Sequence, residues 1–168
     1  MHWLDSCDST SRILKEQTKN GFDTAIALAA GVQTHGVGRL GSAWHSLEGN
    51  IHLSVAIPQN MVRESRLSVA PLLSAILVLE WLRDFCGVAC CVKWPNDIFL
   101  DGRKVAGILC EATYHGAEFK GLIIGIGINL VSEPNLSLEV ENTYRAGSFL
   151  PMNLGSMNAR AAAASLAT

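Results

Sequence analysis

The dipeptide Asp101-Gly102 lies between apolar residues 98–100 and 105–109, and no other feature restricts the fold as much. Asp-Gly is a strong signal for a two-residue turn joining antiparallel strands. The spacing therefore predicts a hairpin over KWPNDIFLDGRKVAGIL, residues 93–109. Lys93, Asn96 and Asp97 come just before or at the start of its first strand, and Lys104 opens the second. Two cations distant in sequence can thus face one pocket. So much polar chemistry in an apolar region points to a ligand. An anion suits it, because a lysine is a point charge that stabilises negative charge building up on a bound group. Asp97 is the obvious carboxylate to join phosphate oxygens around magnesium. From spacing alone, that reading stands level with a plain surface pair of Lys93 and Asp97 worth ~0.2–1 kcal/mol.

The remaining chain punctuates itself. Residues 1–7 read as a short strand, after which Asp8 or Ser9 caps a helix over 10–19 that stops at Asn20-Gly21. Residues 24–30 form an unbroken apolar strand, and 31–46, GVQTHGVGRLGSAWHS, a glycine-rich loop able to wrap a ligand. In residues 50–57, Ile51, Leu53, Val55 and Ile57 alternate onto one face of a strand that ends at Pro58. The longest helix is expected over 63–85, with Pro71 tolerated if it falls in the first turn after a Ser68 cap. A buried strand over 88–92 leads into the hairpin, whose return strand reaches about residue 113. GLIIGIGIN lies within a central strand over 119–129, its glycines removing side chains where something approaches the backbone. The signal weakens over 132–151, and 158–168 is an alanine-rich helix. Hairpin-linked strands beside a few helices imply an α+β domain with a largely antiparallel mixed sheet and helices packed on one side.

Composition narrows the class of function. A chain of 168 residues is one domain able to bury a core without disulfides. With 13 basic and 15 acidic residues and no basic stripe, nucleic acid is not expected as a partner. The longest apolar run, 69–79, falls short of the roughly 20 residues that span a bilayer, so no membrane partner is expected. The N-terminus carries no targeting pattern and Cys7, Cys86, Cys90, Cys91 and Cys110 show no C-x-x-C spacing, so reduced thiols in a cytoplasm are expected. Small buried core residues are the simplest reading of these cysteines.

The glycine loop alone says little. GVGRLG has G-x-G-x-x-G spacing but follows no strand of a βαβ unit, and no G-K-[ST] makes it a phosphate loop. It does offer successive backbone N–H groups beside Arg39, an arrangement suited to phosphate or carboxylate, with Trp44 at its end.

Taken together, DST (8–10), QTHGVGRLGSAWHS (33–46), KWPNDI (93–98), KVAGILCE (104–111) and IGIGIN (124–129) resemble, in that order, the catalytic domain of biotin protein ligases. The resemblance implies the class II synthetase-like biotin/lipoate ligase fold and a two-step reaction. Biotin attacks the α-phosphate of ATP, with Mg2+, to give biotinyl-AMP; a lysine of a biotin carboxyl carrier protein then takes the biotin. It implies that Ser9, Thr10 and Gln33 bind the ureido group, with Gly36 and Val37 contributing backbone on the biotin side. Gly107, Gly125 and Gly127 admit biotin against the sheet. Lys104 and Arg39 are the catalytic cations, Lys104 also on the biotin side and Arg39 also on the ATP side. Lys93, Asn96, Asn129 and Trp44 serve ATP, and Asp97 the magnesium ion. A homodimer through sheet edges is compatible with such ligases.

The chain departs from the family pattern. Val37 and Ser42 stand where G-R-G-R-x-G-R-x-W has arginines, and Ser11 replaces the asparagine of S-T-N. Residues 1–168 are expected to be the catalytic domain, without the DNA-binding winged helix of the repressor subtype and without the usual C-terminal β-barrel. Two other functions stay open: a truncated or degenerate domain that binds biotin or its adenylate with little transfer, and a lipoate or octanoate transferase using Cys110 as nucleophile.

Overall fold

The computed structural model describes residues 1–134, 145–149 and 158–168. The strands are β1 (His2–Cys7), β2 (Ile26–Gln33), β3 (Gly36–Val37), β4 (Ala43–Trp44), β5 (Ile51–Pro58), β6 (Cys91–Lys93), β7 (Asp97–Leu100), β8 (Arg103–His115) and β9 (Glu118–Ile128). The helices are α1 (Thr10–Thr18), α2 (Ala70–Cys86) and α3 (Ala159–Leu166). One seven-stranded sheet runs in the order β1-β2-β5-β9-β8-β7-β6, parallel only between β1 and β2. The mixed, largely antiparallel sheet is the one expected, and Asp101 and Gly102 take φ values of 50° and 76° at the turn that joins β7 to β8.

Helices cover both faces rather than one. On the first face, Ile51, Leu53, Ile108 and Ile128 pack with Ala75, Val78 and Leu82 of α2 and Ala162 and Ala163 of α3. On the other, Leu14 of α1 packs on Leu28, Ala56 and Ile123. Each fully buried leucine, isoleucine or valine among them contributes roughly 1.5–3 kcal/mol. Strand alternation puts the odd positions of residues 51–57 on the first face, which leaves His52 and Ser54 on the α1 face.

Local differences from the sequence reading have simple causes. Helix α2 starts at Ala70, not at residue 63, with Pro71 in its first turn where no N–H is needed; residue 69 is the N-cap and no side chain caps it. Residues 64–66 form a separate short turn. Gly87, left-handed with φ 67°, ends α2, and the following strand begins at Cys91 rather than residue 88. The glycine loop is partly ordered as the β3–β4 hairpin, where a Cβ on Gly36 would lie 2.6 Å from the Trp44 carbonyl oxygen.

A β-bulge decides the chemistry of β8. Ile98 pairs with Ala106 but Phe99 pairs with Lys104, so Val105 is the extra residue. Val105 and Ala106 both enter the first-face core, while Lys104 and Gly107, three residues apart, both face the α1 side. A regular strand would have sent them to opposite faces.

Candidate active site

The α1 face carries an open cavity of about 380 Å³ between α1, the β3–β4 hairpin and the centre of the sheet. Its floor is made where glycines of β8 and β9 stack across the ladder, Gly107 opposite Gly127, with Gly125 two residues further along. Ser9, Thr10, Ser11, Gln33 and Ser54 line it near α1; Val37 and Arg39 line it from the hairpin; Asn96, Asp97, Lys104 and Asn129 lie at its other side.

The α1 end is a hydrogen-bonded set of uncharged groups. Ser9 caps α1, and Thr10 donates to Gln33 Oε1 from both its backbone N–H (2.8 Å) and its hydroxyl (3.0 Å). Ser54, fully buried, bridges the hydroxyls of Thr10 and Ser11 at 2.7 and 2.8 Å. Neither Ser11 nor Ser54 stood among the residues expected to act here. Ser54 was signalled by its place in β5, a polar residue between the apolar positions 53 and 55.

The charged end is built on β7 and β8. Lys104 Nζ lies 2.8 Å from Asp97 Oδ1, and that buried oxygen has no aligned hydrogen bond besides this ion pair among the described residues. The backbone of Lys104 is pinned by residues 145–147, its N–H donating to Arg145 O and its carbonyl accepting from Gly147 N–H, both at 2.9 Å. Asn96 donates through Nδ2 to Ile108 O (2.8 Å) and accepts from Arg39 Nη1 (3.0 Å), tying the hairpin to the sheet. Asn129 spends its Nδ2 on Gly147 O at 3.0 Å, and its buried Oδ1 has no partner among the described residues. An orphaned buried acceptor costs about 1–3 kcal/mol until a donor reaches it.

Ser42 makes the glycine loop self-supporting without the family's arginines. Its hydroxyl donates to Arg39 O (2.9 Å), its N–H donates to the same oxygen (3.0 Å), and its own carbonyl accepts from Gly38 N–H (2.7 Å).

Trp44 is the wall between the two ends. Its Nε1–H donates to His52 Nδ1 at 3.3 Å, which leaves His52 Nε2–H for Leu47 O, also at 3.3 Å. The bond from Trp44 requires an unprotonated Nδ1, hence the neutral ring, and burial pushes the His52 imidazole down to about 4. The indole lies flat on the floor: a Cβ on Gly127 would come within 2.4 Å of its Cε2 and Cζ2, and Lys104 Nζ lies 5.9 Å from its centroid. Gly127→Ala is therefore expected to displace Trp44 and to lose about 1–3 kcal/mol by overpacking, measurable as a lower urea midpoint. An unchanged midpoint would contradict this close packing.

Two expected site residues do not line the cavity. Gly36 is buried beneath the hairpin, and Lys93 sits on the edge strand opposite Asp97 with its ammonium 5.6 Å from the Phe99 ring. Cys110 is on the other face, its Sγ 3.9 Å from Ser74 of α2, and burial pushes its thiol up to about 11. Neither property suits a nucleophile.

Residues 3–129 match the model of the biotin/lipoate A/B protein ligase family. The chain is 33% identical over 132 residues to the bifunctional ligase/repressor BirA of Bacillus subtilis, covering 78% of this chain and 40% of that protein. It is 34% identical over 120 residues to the biotin–[acetyl-CoA-carboxylase] ligase of Paracoccus denitrificans, covering 68% of this chain and 48% of that one. Among solved structures, the biotin protein ligase of Leishmania major in complex with biotin superposes with a TM-score of 0.81 at 26% identity, over 98% of this chain and 70% of that one. The Aquifex aeolicus enzyme in complex with biotin and ATP gives 0.73 at 29%, over 98% and 65%. Motifs, fold and cavity agree with these likenesses, and the chain belongs to the biotin/lipoate A/B protein ligase family.

Proposed function

We propose that this protein activates biotin with ATP and transfers it to a lysine of a carboxyl carrier protein. The observation that carries the reading is one cavity with an uncharged hydroxyl-amide end and a cationic end on a shared glycine floor. A small ligand with a polar neutral head and a carboxylate tail spans such a site, head toward Gln33 and tail toward Lys104.

In the first step a biotin carboxylate oxygen attacks the α-phosphorus of ATP, the bond to the bridging oxygen breaks, and pyrophosphate leaves. Lys104, fixed by Asp97 and the bulge, lies where charge accumulates on the reacting oxygens; Arg39, held by Asn96, neutralises the phosphate side. Asn129 Oδ1 is placed to take a nucleotide N–H or O–H donor. In the second step a neutral acceptor amine attacks the acyl carbon of the mixed anhydride and AMP departs. Asp97, which faces the Lys104 ammonium, is the carboxylate that lines the cavity, and one carboxylate beside phosphate oxygens is the usual protein share of a magnesium–nucleotide site. Magnesium would arrive with ATP, and Asp97 would be the residue to hold it.

The chain spans less than half the length of the curated relatives named above, so complete transfer is a separate matter from activation. Incubation with biotin, magnesium, ATP and a carboxyl carrier domain is expected to add one biotinyl group to a single acceptor lysine, read by mass spectrometry. Adenylate accumulating beside an unmodified acceptor would instead favour a domain that activates biotin without transferring it. The position of Cys110 speaks against octanoyl transfer.

A further inference from the structure

The hydroxyl groups of Thr10, Ser11 and Ser54 can be arranged in one way only. Thr10 N–H needs an acceptor, so the Gln33 amide is oriented with Oε1 toward Thr10. Three oxygen–oxygen contacts follow, Thr10 to Gln33 (3.0 Å), Ser54 to Thr10 (2.7 Å) and Ser11 to Ser54 (2.8 Å), and three hydroxyl protons are available for them. The Gln33 oxygen has no proton to give, so Thr10 donates to Gln33, Ser54 donates to Thr10, and Ser11 donates to Ser54. Any other assignment leaves two oxygens in contact with no proton between them.

The consequence falls on Ser11. Its proton is spent on a fully buried partner, and its oxygen lies over Gly125, where a Cβ would be 2.7 Å away. Ser11 therefore presents lone pairs alone to the cavity it lines. Gln33, with its oxygen committed to Thr10, has its amide N–H groups left for a ligand. Ser9, whose oxygen accepts from Arg12 N–H as the cap of α1, keeps its hydroxyl proton as a second donor. This end therefore offers Ser11 as an acceptor beside donors on Gln33 and Ser9, the complement of a urea or amide that carries both N–H and C=O.

We infer that Ser11 is a specificity residue that accepts a hydrogen bond from a ligand N–H, and that Ser54 is the positioning residue that fixes its proton away from the ligand. This rests on the biotin reading and deepens it: one ureido N–H is the group recognised. A ring oxygen in place of that N–H sets lone pairs against lone pairs and is rejected.

The test is calorimetry on the full chain with biotin and with the two cyclic carbamate analogues, each having one ureido N–H replaced by oxygen. Ser11→Ala is expected to weaken biotin about five- to tenfold, the size of one lost hydrogen bond, and to leave the affinity of one carbamate unchanged. Ser54→Ala frees the Ser11 proton to turn toward the ligand, so preference for biotin over that carbamate should fall about tenfold. A merely structural role would weaken all three ligands alike. Equal losses, or no loss with Ser11→Ala, would overturn the inference and leave the biotin reading standing. Wild-type protein that binds no biotin would remove both. If Ser54→Ala does not fold, the Ser11→Ala comparison decides alone.

Discussion

Lys104→Met is expected to lower the rate of biotinyl-adenylate formation by about 10²–10³-fold, the usual effect of removing one preorganised donor from a site of developing charge. Methionine keeps most of the length of the side chain and removes its charge. Biotin affinity should change far less, because in the proposed pose the ureido end lies across the cavity, toward Gln33. The same substitution strands Asp97 Oδ1, a buried oxygen with no hydrogen-bond partner besides this ion pair among the described residues, at a cost of about 1–3 kcal/mol. Pairing Lys104→Met with Asp97→Asn separates the effects. The double variant should recover much of the urea midpoint and none of the rate. Recovery of rate without the ammonium would mean that Lys104 acts only as the partner of Asp97.

Stability should fall by on the order of 3 kcal/mol between pH 6.5 and pH 4 through His52 alone, since each pH unit of displaced titration is worth about 1.36 kcal/mol. Burial holds the folded imidazole at about 4, against 6.5 for an ordinary histidine. Between those values the unfolded chain binds more protons than the folded one, so stability rises with pH across the window. The contribution is complete above pH 6.5 and lost as pH falls through about 4. Protonation would also set a second N–H against Trp44 Nε1–H, so the wall of the cavity should loosen as the ring charges. His52→Gln retains an oxygen acceptor for Trp44 and removes the titration. Urea titrations at several pH values should show a flatter profile for that variant, and equal profiles would refute the assignment.

How much was legible in the sequence varied with the range of the interaction. Asp101-Gly102 and the alternation of residues 51–57 are local signals, and the turn and strand followed from them. The same alternation implied that His52 and Ser54 share the opposite face with the β9 glycines; reading only its apolar half is why both were missed. The bulge at Val105 was not legible, because an extra residue in one strand shows only against its partner. Without it Lys104 and Gly107 could not share the cavity. Lys93 was placed with the ligand by its motif, yet its strand lies at the sheet edge beyond Asp97, a matter of strand order that no local pattern encodes. The placement of α1 on the face opposite α2 is likewise a property of connectivity. Val37 and Ser42 showed in the sequence only as departures from the expected arginines, and that Ser42 hydrogen-bonds to Arg39 and closes the turn from within needed the fold of the loop.

Exchange of labelled pyrophosphate into ATP tests activation most directly, since it reads the reversible first step without any acceptor. Label should enter ATP only when biotin is present, and Lys104→Met should reduce it to near background. Exchange that ignores biotin, or its absence in protein that binds biotin, would contradict a role for this cavity in activating biotin.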